Sequence, residues 1–139
     1  MGGETIDLRE VVTGTSTLTV NLDTAGETVS FTNISASTFT SGSDKFIVEG
    51  SYGSDTITAP NIASELNGNQ GNDTLIGGTQ ADKFLGGLGG GNTITGNGGA
   101  DVFNWISGGD YSGLTPSTAD TITDFLSGTD QIKLGVTGN

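Results

Sequence analysis

Single apolar residues recur at intervals of nine or ten along the middle of the chain, and a polar residue stands on at least one side of each. The series is Ile57, Leu66, Leu75, Phe84, Ile94 and Phe103. Such alternation over three positions is typical of a short β-strand whose middle side chain faces a core. The pattern therefore predicts six short strands wound around one narrow core.

The residues between these strands follow a nine-residue unit with Gly at positions 1 and 4, Asp at position 6 and the apolar residue at position 8. Residues 68–76 (GNQGNDTLI) show its complete form. Glycine gives the positive φ angles and close backbone approach that tight turns need. The units are 50–58, 68–76, 77–85, 87–95 and 96–104, with Gly86 as one inserted residue, while 59–67 keeps only the length.

Turns two units apart should stack, because successive strands would alternate between two sheets. One edge would then stack Asp55, Asp73 and Asn92, and the other Ser64, Asp82 and Asp101. Adjacent carboxylates would repel each other unless a cation lay between them. Calcium suits such a site, since it takes six to eight oxygen ligands from carboxylates and carbonyls in irregular geometry. The chain has no His and no Cys, which argues against zinc, copper and iron.

These units resemble the nonapeptide repeats of the repeats-in-toxin (RTX) family. The resemblance covers 50–104 unit by unit, and 119–125 and 130–134 more loosely. It implies an all-β fold, a parallel β-roll (β-solenoid) with calcium ions in its turns and capping strands at its ends, and export by a type I secretion system. The metal ligands that it implies are Asp55, Asp73, Asp82, Asp101, Asn92, Asp120 and Asp124, with the turn glycines Gly50, Gly53, Gly68, Gly71, Gly77, Gly86, Gly96 and Gly99.

The Asp position is not filled by Asp in every unit. Ser64 and Asn92 occupy it in two turns, and each loses a negative charge and a bidentate ligand. We therefore expect one firm site between the Asp55 and Asp73 turns and another between the Asp82 and Asp101 turns. Sites that use the Ser64 or Asn92 turn should be weaker or absent.

The composition explains why a metal would matter to folding. The chain has 139 residues, a formal net charge of −12 and only 32% hydrophobic residues, a combination that favours disorder. Because a calcium site does not exist in the unfolded chain, the free energy of binding becomes free energy of folding. The charge also argues against nucleic acid and anionic membranes as partners, and no apolar run is long enough for membrane insertion.

We expect three segments. Residues 1–49 would form an N-terminal β segment of calcium-free rungs or a cap, 50–104 the calcium-binding roll, and 105–139 the C-terminal cap strands. Apolar residues continue the nine- or ten-residue spacing towards the N-terminus at Val11, Val20, Val29, Phe39 and Val48, and Phe46 competes with Val48 for the inside position. This spacing favours a continuous solenoid over a separate small β layer.

The residues after the last unit offer two interpretations. Aromatic and aliphatic side chains there would seal the open end of the core, or would form a flat platform for a carbohydrate. The residues concerned are Trp105, Ile106, Tyr111 and Leu114. We favour the seal, because Trp105 directly follows a strand whose core side would otherwise be exposed.

No catalytic site is expected. Asp120 and Asp124 could be read as a pair of glycosidase carboxylates, but acidic pairs in a calcium-rich chain are more often ligands or solvated charges. The absence of His from the sequence removes the usual triads and zinc protease motifs. The chain thus has the features of a non-enzymatic module.

We expect a calcium-binding structural module of a secreted or cell-surface bacterial protein of the surface-layer or adhesin kind, with self-association or cell-surface polysaccharide as further candidate partners. One alternative is the C-terminal secretion and folding domain of an exported enzyme such as a protease, lipase or epimerase. The other is an ice-binding solenoid. It rests on a double file of threonines, Thr56 and Thr58, Thr74 with Ile76, Thr93 and Thr95, Thr121 and Thr123.

Overall fold

The computed structural model describes residues 17–23, 26–32, 45–87, 91–105 and 119–134. These residues form eleven short strands and contain no helix. The strands are β1 (Thr17–Asn21), β2 (Thr28–Ser30), β3 (Lys45–Glu49), β4 (Thr56–Thr58), β5 (Ser64–Asn67), β6 (Thr74–Ile76), β7 (Lys83–Leu85), β8 (Thr93–Thr95), β9 (Val102–Trp105), β10 (Thr121–Ile122) and β11 (Gln131–Leu134).

Successive strands alternate between two parallel sheets. The odd-numbered strands form a six-stranded sheet in the order β1-β3-β5-β7-β9-β11, and the even-numbered strands form a five-stranded sheet in the order β10-β8-β6-β4-β2. Each strand thus pairs with the strand two places along the chain, about 4.8 Å away. The predicted all-β parallel β-roll is confirmed.

The core is a double row of side chains between the sheets. All six residues of the predicted inside series, from Ile57 to Phe103, have no exposed surface. The register stacks Leu66 on Phe84 and Phe84 on Phe103 in one sheet, and the Phe84 and Phe103 rings stack with centroids 5.2 Å apart. Each such side chain contributes about 1.5–3 kcal/mol by leaving water.

The N-terminal strands belong to the same two sheets. β1 pairs with β3 and aligns Val20 with Val48, while β2 pairs with β4 and aligns Val29 with Ile57. Phe46 and Val48 are both buried, so neither excludes the other from the inside of the roll. Val11 and Phe39 lie outside the described residues, and the division into three segments stays a prediction.

The C-terminal end of the core is partly open in the part of the chain that the structure describes. Ile132 and Leu134 of β11 are 50% and 69% exposed, while the Phe125 ring leans on Phe103 with centroids 6.1 Å apart. The residues predicted to seal this end, Ile106, Tyr111 and Leu114, lie outside the described residues, as does the Trp105 side chain.

The inserted residue of the fourth unit is not where the spacing placed it. Asn67 pairs with Leu85, so the next residues, Gly68 and Gly86, occupy equivalent positions. Gly86 is therefore the first residue of its turn and not an insertion ahead of it. The extra residue lies further along the turn, between Gly87 and Asn92, because Asn92 is again level with Asp73.

Candidate metal centre

The turns lie in two columns, one along each edge of the roll. The first column contains the residues directly before the even-numbered strands, which are Glu27, Asp55, Asp73, Asn92 and Asp120. The second column contains the residues level with Asp82 in the odd-numbered sheet, which are Leu18, Phe46, Ser64, Asp82, Asp101 and Asp130. The spacing had placed the central members of both columns together.

A ladder of hydrogen bonds runs along each column. In the first, the Asp55 N–H donates to Oδ1 of Asp73 over 2.9 Å, and the Asp73 N–H donates to Oδ1 of Asn92 over 2.7 Å. In the second, the Asp82 N–H donates to Oδ1 of Asp101 over 2.8 Å. The same bond joins Glu27 to Asp55, Asn92 to Asp120, Ser64 to Asp82 and Asp101 to Asp130. Each Oδ1 therefore satisfies a backbone donor of the rung before it.

The second carboxylate oxygen separates two kinds of turn. In the turns 50–55 and 77–82, Oδ2 accepts the N–H of the second residue of the turn. Ser51 N–H donates to Asp55 over 2.7 Å, and Gly78 N–H donates to Asp82 over 2.7 Å. The Ser51 hydroxyl adds a bond of 2.8 Å. We call these closed turns, because the carboxylate closes back on its own turn.

In the turns 68–73 and 96–101 the second residue is an Asn with left-handed backbone, and its N–H points elsewhere. Asn69 has φ 63° and donates its N–H to Oδ1 of Asn67, while Asn97 has φ 64° and donates to Oδ2 of Asp124. We call these open turns. In consequence Oδ2 of Asp73 is buried without a hydrogen-bond partner.

Each open turn stacks on a closed turn, and the two resulting turn pairs are equivalent. In the first pair (50–55 with 68–73), the Asn69 side-chain amide donates to the Gly50 carbonyl over 2.6 Å, and Gln70 N–H donates to the Ser51 carbonyl over 3.2 Å. In the second pair (77–82 with 96–101), Asn97 donates to the Gly77 carbonyl over 2.8 Å, and Gly98 N–H donates to the Gly78 carbonyl over 3.2 Å. The same contacts thus recur at opposite edges of the roll.

Two glycines allow the turns of a pair to approach this closely. Gly71 has φ 115° and Gly99 has φ 124°, a region that other residues rarely adopt. A Cβ atom at Gly71 would lie 2.6 Å from the Gly53 carbonyl, and one at Gly99 would lie 2.5 Å from the Gln80 carbonyl. Gly53 is half-buried at the fourth position of its turn. The five remaining predicted turn glycines are buried at the first position of theirs, and they are Gly50, Gly68, Gly77, Gly86 and Gly96.

Burial makes the ionised carboxylates costly without a metal. Burial, together with the nearby charges of Asp55 and Asp120, raises the pKa of Asp73 to about 6, although the hydrogen bond from the Asp55 N–H acts in the opposite direction. Burial likewise raises the pKa of Asp82 to about 7, with a contribution from Asp101. Burial also raises the pKa of Asp101. For Asp55, the effect of burial is exceeded by hydrogen bonds from Ser51 and Glu27, which leave its pKa below the ordinary value.

The turns that lack Asp satisfy their own polar groups. The Asn92 side-chain amide donates to the carbonyl of Gly86 over 2.7 Å, and the Ser64 hydroxyl donates to the carbonyl of Ile62 over 2.8 Å. Both side chains are buried. These neutral turns therefore satisfy their buried polar side chains internally, and the weaker sites expected there stay a prediction.

The C-terminal aspartates extend the columns in different ways. Asp120 joins the first ladder through Asn92. Asp124 accepts the Gly96 N–H on Oδ1 and the Asn97 N–H on Oδ2, over 2.8 and 2.7 Å. Both of its oxygens thus bind backbone donors of the last open turn. Its predicted role as a metal ligand stays a prediction.

The sequence reasoning missed two members of the columns. Asp130 holds the Asp101 N–H on Oδ1 and the Leu126 N–H on Oδ2, and Glu27 lies level with Asp55. A signal for Asp130 was present, because Asp130-Gln131-Ile132-Lys133 repeats the second half of the nine-residue unit. Glu27-Thr28-Val29-Ser30 repeats it with Glu in place of Asp.

The residues of the turn pairs fit calcium. Among the described residues no three His, Cys, Asp or Glu side chains form a metal-binding group, so an ion would need backbone carbonyls beside two stacked carboxylates. Calcium accepts such a mixture of oxygens. The partnerless, buried Oδ2 of Asp73 is an oxygen for which a cation would supply the missing partner.

Comparison with known protein families decides the family of the chain. Residues 19–138 match the family described as peptidase M10 serralysin C terminal. The chain belongs to this family. The serralysin C-terminal family is an RTX-type calcium-binding repeat domain, so the resemblance drawn from the repeats is confirmed. No curated protein and no solved structure shows a match to the chain.

The family gives the general function of the fold. Serralysin C-terminal domains are the non-catalytic repeat regions of proteases and occur in extracellular proteins that type I systems secrete. The chain is therefore a repeat module of the calcium-binding kind from a secreted protein. In the part of the chain that the structure describes, no helix is long and apolar enough to span a membrane.

Proposed function

We propose that this chain is a calcium-driven folding module that holds one ion in each turn pair. The observation that carries the proposal is the stacking of buried aspartates within these pairs, with Oδ2 of Asp73 lacking a partner. Asp55 and Asp73 would hold the ion of the first pair, and Asp82 and Asp101 that of the second. The ion would supply positive charge beside Asp73, Asp82 and Asp101, whose ionised forms burial makes costly.

The residues of the chain do the rest. The ladder bonds orient each Asp through its Oδ1, so that the second oxygen is directed into the turn pair. The first carbonyl of each closed turn would provide a further oxygen ligand, and the apolar core rows would exclude water from the inner side of the site. Inside a cell, where free calcium is scarce, the net charge of −12 would keep the chain unfolded for export. Millimolar calcium outside would fold it.

Circular dichroism during a calcium titration of the metal-free protein tests this proposal, with magnesium as the control. We expect a cooperative gain of β signal with calcium alone, because magnesium demands an octahedral site and keeps its waters. A chain that is equally folded in chelator and in calcium would contradict the proposal. Isothermal titration should give two tight sites.

The family match favours an exported enzyme as the host of this module. The module would then follow a catalytic domain and assist its folding after export. A surface-layer or adhesin host would instead require contacts between copies of the roll. Electron microscopy of the calcium-loaded protein separates these cases, since ordered lattices are expected only of a surface-layer host.

An ice-binding surface is a second candidate function, and the five-stranded sheet favours it. Its outer face aligns Thr28, Thr56, Thr74, Thr93 and Thr121 in one file. A second file contains Ser30, Thr58, Ile76 and Thr95, and Thr95 hydrogen-bonds to the Thr123 hydroxyl over 2.8 Å. Neither file carries a charge. The strand spacing of about 4.8 Å sets the repeat of the hydroxyls.

Incorporation of the labelled, calcium-loaded protein into a growing ice crystal tests this surface. Thr93→Lys should abolish incorporation, and Ile76→Thr should increase it by completing the second file. Thr19→Lys is the matched control, because Thr19 is exposed on the other sheet. A protein that ice excludes, or a Thr93→Lys variant that behaves as the parent, would rule out ice binding.

A further inference from the structure

Two asparagines make the same contact at opposite edges of the roll. Asn69 and Asn97 are the non-glycine residues with positive φ among the described residues, at 63° and 64°. Each is the second residue of an open turn. Each donates its side-chain amide to the first carbonyl of the closed turn below, Gly50 or Gly77.

The left-handed backbone is what makes this contact possible. In the closed turns the second residue donates its N–H to the aspartate of the same turn. In the open turns that N–H is turned away, and the side chain instead reaches back one rung. Asn is the side chain that tolerates left-handed φ and also carries an amide donor. Glycine would allow the backbone but could not make the bond.

We propose that Asn69 and Asn97 are positioning residues that hold each turn pair at its ion-binding spacing as the roll folds. The proposal rests on the proposed calcium function and deepens it. A carbonyl oxygen has two lone pairs, so Gly50 and Gly77 can accept the amide and still face an ion. The clamp thus fixes the closed turn's carbonyl relative to the open turn's Asp, and less ordering remains for the ion to impose.

The clamp also explains why the turn pairs differ from the neutral turns. The Asn92 side-chain amide donates to the Gly86 carbonyl of its own turn. That bond stabilises a single turn and does not connect two rungs. Asn69 and Asn97 join two turns that each carry a buried Asp. Their amides therefore act where two carboxylates must be held together.

The test compares calcium titrations of the parent, Asn69→Gly, Asn97→Gly and the double variant, each followed by circular dichroism and by isothermal titration. Glycine keeps the left-handed backbone and removes only the amide. Asn61→Gly is the matched control, because Asn61 is exposed in the turn that lacks Asp. It reports the general cost of a new glycine in a turn.

We expect each single variant to raise the calcium midpoint about 2- to 10-fold, the range that corresponds to one hydrogen bond of about 0.5–1.5 kcal/mol. Isothermal titration should show one weakened and one unchanged site in each single variant. Asn61→Gly should leave both sites nearly unchanged. Equal midpoints in the parent and the clamp variants, or an equal shift in Asn61→Gly, would overturn the clamp while leaving the calcium function intact. A parent chain that ignores calcium would instead overturn the proposed function and the clamp with it.

Discussion

The two columns of turns occupy the same position in every rung but fill it differently. The first column is polar throughout, from Glu27 to Asp120. The second column changes along the axis from carboxylates at Asp130, Asp101 and Asp82 to a hydroxyl at Ser64 and then to the aromatic ring of Phe46. The backbone accommodates all three, because the strands and not the turns set the register.

This difference shows two ways to close the same rung. An Asp offers Oδ1 to the rung before it and needs a partner for Oδ2, so its turn depends on a donor or a cation. Phe46 is 1% exposed and meets the Phe31 ring edge-on at 5.1 Å, so its rung is held by apolar burial. The N-terminal end of the second column should therefore fold with the least need for metal.

Calcium removal should destabilise the roll more than any single substitution. It should unfold the carboxylate end of the second column before the Phe46 end. In a stepwise calcium titration followed by hydrogen exchange, the amides of β3 should keep protection at lower calcium than those of β9. The reason is that β3 carries Phe46 and Val48, whereas β9 follows Asp101. Loss of protection in both strands at one calcium concentration would show that the roll folds as a single unit.

Phe46→Ala should destabilise the N-terminal end of the second column even in saturating calcium. Truncation of a buried Phe costs about 3–5 kcal/mol, and no ion can replace the lost contact. Thermal unfolding in saturating calcium should therefore occur at a clearly lower temperature. Phe125→Ala is the control, since Phe125 is 41% exposed and should matter less.

Asp73→Ala should be the most damaging ligand change. It leaves the buried Asp55 N–H without its acceptor, which costs about 1–3 kcal/mol, and removes a ligand from the first turn pair. The calcium midpoint should rise more than in Asp120→Ala, which lies at the end of the same ladder. A midpoint equal to that of the parent would contradict this ranking.

Asn92→Asp should give the first column a carboxylate at every position. The change loses the amide bond to Gly86 and places a carboxylate between those of Asp73 and Asp120. We expect isothermal titration to show an additional calcium site, with a less stable chain in chelator. Asn92→Ala is the control and should lose stability without gaining a site.

The metal-free chain should respond to pH in the opposite sense to the calcium-loaded one. The pKa of Asp73 is raised to about 6 and that of Asp82 to about 7 from the ordinary 3.8. A carboxyl with a raised pKa binds its proton more tightly in the folded state, so its stabilising effect is full below pH 3.8 and is lost as the pH rises through about 7. In chelator, residual β signal should thus be greater near pH 5 than near pH 8, and Asp82→Asn should weaken this dependence.

Much of this fold follows from the sequence. The nine-residue spacing predicted the inside row, the two sheets and the stacking of Asp55 on Asp73, because strand alternation leaves little freedom in where residues point. It placed Gly86 wrongly, because several consecutive glycines give no signal of which one begins the turn. It also left Phe46 undecided against Val48, since both can face inward from a five-residue strand.

The closed and open turns could not be predicted in this way. They differ in the sign of φ at the second and fourth residues of the turn, and both Asn and Gly are compatible with either sign of φ. Which donor reaches Oδ2 then depends on side chains such as Asn67 and Asp124, one of them far away in sequence. The orphan oxygen of Asp73 is a property of this network and not of the nine-residue unit.

The extra residue between Gly86 and Asn92 has a practical meaning. The strands before and after that turn keep their partners, so a change in chain length is absorbed locally and never reaches the neighbouring rungs. Strand pairing therefore fixes the spacing between rungs, whereas the length of a turn can change. The turn between β7 and β8 is accordingly the place to graft a peptide, because both strands keep their partners despite the extra residue.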